Sequence, residues 1–263
     1  MRSAAAARHD AHHMRPQIHP CRILSWFTPT TEVPLCGHGT LASAAALFYG
    51  AGNPAPELRF LTASGPLVVR RAAGGPSAAA AAAGGAGELL EMSLPSAPPD
   101  GPLPDEAAMV AALRCGVDAV AWTGLASGLG YGVVRLRDGT SRAQLEALTP
   151  DSAALMAAGG GAVRGLIVTC AGEAASSSGG GGGFDFLSRF FGPWIGIPED
   201  PVTGSAHSVL CPYWAAELGR PRLSARQCSA RGGDLAVTLE EGGGRVLVAG
   251  PATVVVAGSL RLR

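Results

Sequence analysis

Two stretches of the chain set apolar residues at helical spacing directly behind a glycine-containing turn. In the first, CGHGT (Cys36 to Thr40) leads into Leu41 to Tyr49, where Leu41, Ala44, Ala45 and Phe48 fall at i, i+3, i+4 and i+7. The residues between them are also mostly Ala, Ser or Leu, so this helix is expected to be enclosed on all sides. In the second, EDPVTGSAH (Glu199 to His207) opens a helix running to about Leu218. Pro212 falls inside it and predicts either a kink or a locally freed carbonyl.

Around the two helices the pattern changes to short β-prone runs. Arg22–Thr28 and Glu32–Leu35 precede the first helix, while Leu58–Thr62, Pro66–Arg71 and Glu88–Leu94 follow it. A proline-rich run, Pro95–Pro104, then leads to a helix at Asp105–Arg114, stopped by Gly116. The second half predicts strands at Val117–Thr123, Tyr131–Leu136 and Val163–Cys170, a helix around Ser152–Ala158, and an aromatic β-prone stretch at Phe184–Phe191. Four more runs, Arg222–Cys228, Asp234–Leu239, Arg245–Ala249 and Thr253–Arg261, close the chain. Ala72–Gly87 and Gly172–Gly183 are low-complexity inserts with no apolar face, expected as solvent loops.

Strands before and after one internal apolar helix, twice over, predict an α+β protein of two domains, each a curved sheet or barrel wrapped on its own central helix. The boundaries are 1–21 for a disordered or targeting-like extension, 22–116 for an N-terminal domain and 117–263 for a C-terminal domain.

Composition removes whole classes of function. With 263 residues, 47% of them hydrophobic, the chain can bury a large core. Its 20 acidic and 20 basic side chains leave no net field to recruit nucleic acid or an anionic membrane. The sequence contains no Lys, which excludes a pyridoxal-phosphate Schiff base and a Walker A loop. The cysteines, Cys21, Cys36, Cys115, Cys170, Cys211 and Cys228, include no CxxC pair, against a zinc ribbon or redox dithiol. No apolar run reaches the roughly 18–20 residues of a membrane span. A cytoplasmic location is expected, with organelle targeting by residues 1–20 as the alternative.

The chemistry is expected at the two helix starts. First-turn N–H groups without carbonyl partners, at the positive end of the helix dipole, form a site for a carboxylate. The first turns, with Gly37, Gly39 and Thr40 at one start and Gly204 and Ala206 at the other, are therefore expected to bind a small carboxylate-containing substrate, and His38, Asp200 and Ser205 stand in the same two stretches. His titrates near neutrality and a carboxylate in a closed cleft has a raised pKa, so both suit proton transfer. Ser205 with His207 is no hydrolase pair: GxSxG is missing, and neighbours on one helical turn lack nucleophile–base geometry.

Three blocks carry a family resemblance: Phe27–Phe48 (FTPTTEVPLCGHGTLASAAALF), Arg189–Gly219 (RFFGPWIGIPEDPVTGSAHSVLCPYWAAELG) and Gln227–Val237 (QCSARGGDLAV). In order and spacing they resemble the PhzF-type isomerases of phenazine biosynthesis. The resemblance implies a diaminopimelate-epimerase-like fold, an active site in the cleft between two pseudo-symmetric domains, and no metal or organic cofactor. It also implies that His38, Asp200 and Ser205 lie in the site, with amides near Gly37–Gly39 and Gly204–Ser205 holding the substrate carboxylate. A homodimer is the assembly to test.

In that family a strand and an SET-type segment bearing the acid/base glutamate precede the block at Phe27. Residues 1–26 contain no Glu and one acid, Asp10, so the N-terminal domain is expected to be incomplete. Two readings follow: an isomerase in which Asp200 and His38 move the proton, or a catalytically impaired member serving as a small-anion-binding or protein-interaction module. Related epimerases use paired cysteines at the two helix starts. Cys36 matches the first but Thr203 stands at the second, so Cys36 is read as a packed turn residue. Glu32, Glu199 and Arg231 are read as turn or ion-pair residues, and His207 as packing on its helix or touching the ligand.

Overall fold

The computed structural model describes residues 22–27, 32–33, 35–72, 89–173, 183–254, 256 and 258. The extension before residue 22 and most of both low-complexity inserts lie outside these residues. The first pieces are short. Strand β1 (Arg22–Ile23) and strand β2 (Trp26–Phe27) replace the single strand expected over Arg22–Thr28, and β3 (Glu32–Val33) follows. The break has a cause: Leu24 N–H still bonds the Leu61 carbonyl at 2.9 Å, whereas Trp26 leaves the sheet and buries its indole in the core. Helix α1 (Gly37–Ala45) begins at Gly37, earlier than the Leu41 the pattern predicted. Thr40 fixes that start, since both its N–H (3.0 Å) and its hydroxyl (2.7 Å) bond the Cys36 carbonyl.

Strands β4 (Glu57–Thr62), β5 (Gly65–Arg71) and β6 (Leu89–Pro95) come next, followed by α2 (Glu106–Leu113), β7 (Val120–Ala126) and β8 (Tyr131–Leu136). The strand expected from Val117 starts at Val120, because Gly116, at φ +78°, opens a 3-10 turn closed by Ala119 N–H to the Gly116 carbonyl at 3.1 Å. Helices α3 (Arg142–Glu146) and α4 (Ser152–Ala157) precede β9 (Gly165–Ala171) and β10 (Phe186–Phe191). Helix α3 was not expected, although Ser141 and Gln144 form a full capping box, an S-x-x-Q signal visible in the sequence.

The long helix α5 (Gly204–Leu218) leads to β11 (Arg222–Gln227), β12 (Gly233–Leu239) and β13 (Arg245–Pro251). The strand expected over Thr253–Arg261 is not formed at its described residues. Pro251 ends β13, since a proline nitrogen has no hydrogen to continue a ladder.

Among the described residues, eleven strands form one sheet in the order β1-β4-β5-β6-β13-β12-β11-β10-β9-β8-β7. The halves of the chain join where β6 pairs antiparallel with β13, from Leu89 opposite Pro251 to Pro95 opposite Arg245. Helix α1 rests on β5, β6 and α5, and α5 rests on β6 and β11 to β13, so both glycine-led helices enter one core. A second core gathers Met109 and Leu113 of α2 and Leu155 of α4 against Val134, Leu166 and Val168.

The two helices differ in enclosure. Every residue of α5 from Gly204 to Cys211 is buried. Trp214 follows with its indole N–H bonded to Thr169 Oγ1 at 3.0 Å and its ring stacked on Phe186, 5.8 Å between centroids. Burying a side chain of this size contributes roughly 2–3 kcal/mol. Helix α1 is enclosed on one side only, because Ala42 lies exposed, as does Ala46 just beyond it, which corrects the expectation from its composition. Pro212 leaves α5 continuous and frees the Ser208 carbonyl, which accepts the Ala97 N–H at 3.0 Å.

Candidate active site at two abutting helix starts

Helices α1 and α5 meet end against end. A Cβ added to Gly37 would lie 2.8 Å from Gly204 Cα, and one added to Gly204 would lie 2.9 Å from Gly37 Cα, so no side chain fits at either position. The N-cap residues Cys36 and Thr203 are both extended, and neither bonds a first-turn amide with its side chain. Two sets of first-turn N–H groups, with the positive ends of two helix dipoles, therefore converge at one junction.

Thr203 is a good capping residue type, but its hydroxyl is used elsewhere. It donates to Asp200 Oδ2 across the turn ahead of α5. The turn is clamped from β11 by the fully buried Gln227, whose Oε1 accepts the Thr203 N–H at 2.7 Å while its Nε2 donates to the Asp200 carbonyl at 2.6 Å. Asp200 N–H in turn bonds the Phe190 carbonyl at 3.0 Å. A carboxylate held at both backbone and side chain has few other conformations, which is the preorganisation a proton-transferring group needs.

His38, on the first turn of α1, faces this carboxylate. Its Nδ1 lies 3.0 Å from the Val202 carbonyl and 4.0 Å from Asp200 Oδ2, with 55% of its side chain exposed. Its pKa is raised to about 9, first by the Cys36 thiol beside it and further by the negative charge of Asp200 and the Val202 carbonyl, against an opposing burial effect. The cation is thus the ordinary form at neutral pH, adding positive charge to the helix starts.

Ser205 is buried, and its Oγ lies 3.0 Å from the hydroxyl of Tyr131, which reaches the junction from the start of β8. Burial pushes the Tyr131 phenol up, partly offset by the Ser205 hydrogen bond. At neutral pH the pair is hydroxyl to hydroxyl, and its direction of donation is free to change with what lies beside Ser205.

The structure thus brings together Gly37, His38, Gly204, Ser205 and Asp200. Gly39 and Ala206 complete the first turns, Gly39 beside Trp26 and Cys36 and Ala206 in the core. Thr40 is fully buried with its hydroxyl committed to Cys36, so it supports the turn and presents nothing to a ligand. His207 is also fully buried, its Nδ1–H donating to the Thr203 carbonyl at 2.8 Å. Glu199 makes a two-pronged ion pair with Arg189, at 2.7 and 2.8 Å. Arg231, read as an ion-pair residue, has no ion pair among the described residues and instead lines a cavity of about 920 Å³ that His38 and Val202 also border. Asp200 and Ser205 are buried and not part of that lining.

The sequence reading left Tyr131 and Gln227 out of the site. Gln227 stands inside a block already quoted, whereas nothing in the run around Tyr131 marks its hydroxyl as different from that of any strand tyrosine.

Comparison with known proteins bears on the family and the fold. A family model described as phenazine biosynthesis-like protein matches residues 15–258. The human phenazine biosynthesis-like domain-containing protein is 41% identical over 241 residues, covering 91% of this chain and 77% of the human one. An uncharacterised isomerase of Pseudomonas aeruginosa is 39% identical over 239 residues, covering 91% and 78%. Among solved structures, a PhzF family protein of Enterococcus faecalis superposes with a TM-score of 0.72 at 33% identity, over 91% of this chain and 78% of that one.

Proposed function

The chain belongs to the phenazine biosynthesis-like, PhzF-type family, and from that premise we propose that it is a cofactor-independent isomerase acting on a small carboxylic acid. The substrate carboxylate is held by the first-turn amides of α1 and α5, and a proton is moved on its carbon frame by groups at the same junction. The observation that carries this reading is the abutment of Gly37 and Gly204, which sets two uncapped helix starts beside His38 and Asp200.

Each group has a distinct task. Moving a proton next to a carbonyl or along a conjugated acid needs a base within reach of a C–H bond and donors for the negative charge that develops. Asp200, fixed by Thr203 and Gln227, is the acceptor. Protonated His38 and the helix starts stabilise the anion, and His38 returns a proton at the new position. Ser205, its hydroxyl directed by Tyr131, orients a polar group of the substrate.

The test is exchange at carbon. The protein is incubated in D₂O with a panel of amino acid-like and cyclic carboxylic acids, and proton NMR follows the carbon-bound hydrogens. Exchange or isomerisation of at least one acid is expected. Binding of acids without exchange would favour the anion-binding module, and neither binding nor exchange would overturn the site altogether.

A further inference from the structure

The cavity of about 920 Å³ that His38 borders is room for a ligand well beyond a single carboxylate group. Leu41 and Ala45 of α1 and Leu235 of β12 give it an apolar wall. Its charge is unbalanced. Three basic side chains, His38, Arg226 and Arg231, line it against one acid among the described residues, Asp234. That acid is already committed, because Arg226 Nη1 donates to its Oδ1. Arg231 is exposed and makes no hydrogen bond or ion pair among the described residues.

The turn that carries Arg231, between β11 and β12, is fastened to the turn that carries Asp200. Ser229 Oγ donates to the Pro201 carbonyl at 2.7 Å and accepts the Gly232 N–H at 3.0 Å, so one hydroxyl ties the chain on both sides of Arg231 to the approach to α5. Gly233 lies against Val202, where a Cβ would come within 2.4 Å of Val202 Cγ2. Val202 is also the residue whose carbonyl meets His38 Nδ1 at 3.0 Å. Arg231 and His38 are thus set on one short segment, Asp200 to Val202, from two different elements. A guanidinium on an anchored turn gives up less freedom on pairing than one on a loose loop.

We propose that Arg231 is a specificity-determining residue that receives a second carboxylate, so that the substrate is a dicarboxylic acid with an apolar body between its two ends. The first carboxylate occupies the first-turn amides at the Gly37–Gly204 junction, so the inference rests on the anion site proposed above. The body lies along Leu41, Ala45 and Leu235, and the far carboxylate meets the planar guanidinium through paired N–H···O bonds.

Calorimetric titration of the whole protein at pH 7 tests this, with the linear dicarboxylic acids from succinate to suberate, each beside the monocarboxylic acid of the same chain length. At least one diacid is expected to bind about tenfold tighter than its monoacid, the gain from one two-pronged pair in a partly exposed setting. Arg231→Gln should bring that ratio close to unity while monoacid affinity changes by less than about twofold. Arg231→Lys should keep part of the ratio. Arg222→Gln removes an exposed arginine outside the cavity lining and should leave the ratio as it is, which controls for net charge.

Diacids bound no tighter than monoacids at any length, or a ratio that survives Arg231→Gln, overturns the inference and leaves the anion site standing. Equal losses of monoacid and diacid affinity in Arg231→Gln, or a ratio that falls as far in Arg222→Gln, overturn it as well. Binding of neither series removes the anion site itself, and this inference with it.

Discussion

Gly37 and Gly204, 167 positions apart in sequence, touch backbone to backbone. A Cβ on either would come within 2.9 Å of the other's Cα. The partner atom in each case is main chain, which cannot swing aside, so the helices must separate before any larger residue fits.

Gly37→Ala and Gly204→Ala are each expected to destabilise the fold by about 1–3 kcal/mol through overpacking and to abolish carboxylate binding. In an open helix the same change would stabilise by up to about 1 kcal/mol, so the sign is diagnostic. Gly50→Ala, with nothing within 4 Å of the added carbon, is the control and should stay within about 0.5 kcal/mol of wild type. Urea unfolding and calorimetric titration with a small carboxylate read both effects.

Asp200→Asn keeps the volume and can still accept the Thr203 hydroxyl, so its melting temperature should stay close to wild type. Deuterium exchange into any substrate identified for the wild type should fall by roughly 10²-fold or more, because the amide cannot take a proton from carbon.

Gln227→Leu removes the clamp on the turn. The Thr203 N–H and the Asp200 carbonyl lose the partner bonds of 2.7 and 2.6 Å in a buried setting, and a loss of about 2–4 kcal/mol is expected. Carboxylate affinity should fall with it, since the start of α5 is no longer held against α1. An unchanged denaturation midpoint would show that the turn holds itself.

Stability should decline on both sides of neutrality, through different histidines. Burial lowers the His207 pKa to about 4 from 6.5, so the unfolded chain binds more protons than the folded one between these values. Stability is therefore lost as pH falls from about 6.5 to 4, by about 3 kcal/mol at one pKa unit per 1.36 kcal/mol. The raised pKa of His38, about 9, works the other way. Its contribution is complete below pH 6.5 and is lost as pH rises through 9. His207→Leu should flatten the acid limb and His38→Ala the alkaline one, measured as unfolding free energy against pH.

Pro212→Ala should gain far less than the roughly 3 kcal/mol that removing an interior helix proline can give. The carbonyl that proline frees, Ser208, is already satisfied by Ala97 N–H at 3.0 Å. A gain near the full value would mean that this bond contributes little.

The sequence by itself determined the local features of this protein. The placement of both glycine-led helices, most strands and the α+β class follow from apolar spacing and from Gly and Pro punctuation, which act within a few residues. So does the freed carbonyl at Pro212. The motif blocks around His38 and Asp200 carried the family because the residues flanking each helix start are contiguous in the chain. Tertiary structure decided what those local units meet. That β6 pairs with β13 and joins the halves in one sheet depends on a register between strands some 150 residues apart, which no window of sequence contains. Tyr131 lies beside Ser205, and Gln227 clamps Asp200 to Thr203, because two strands, β8 and β11, deliver their side chains to one junction. The touching of Gly37 and Gly204 belongs to the same level: a missing side chain reads in sequence as freedom of the backbone, and only the packed helices show that it makes room for another backbone.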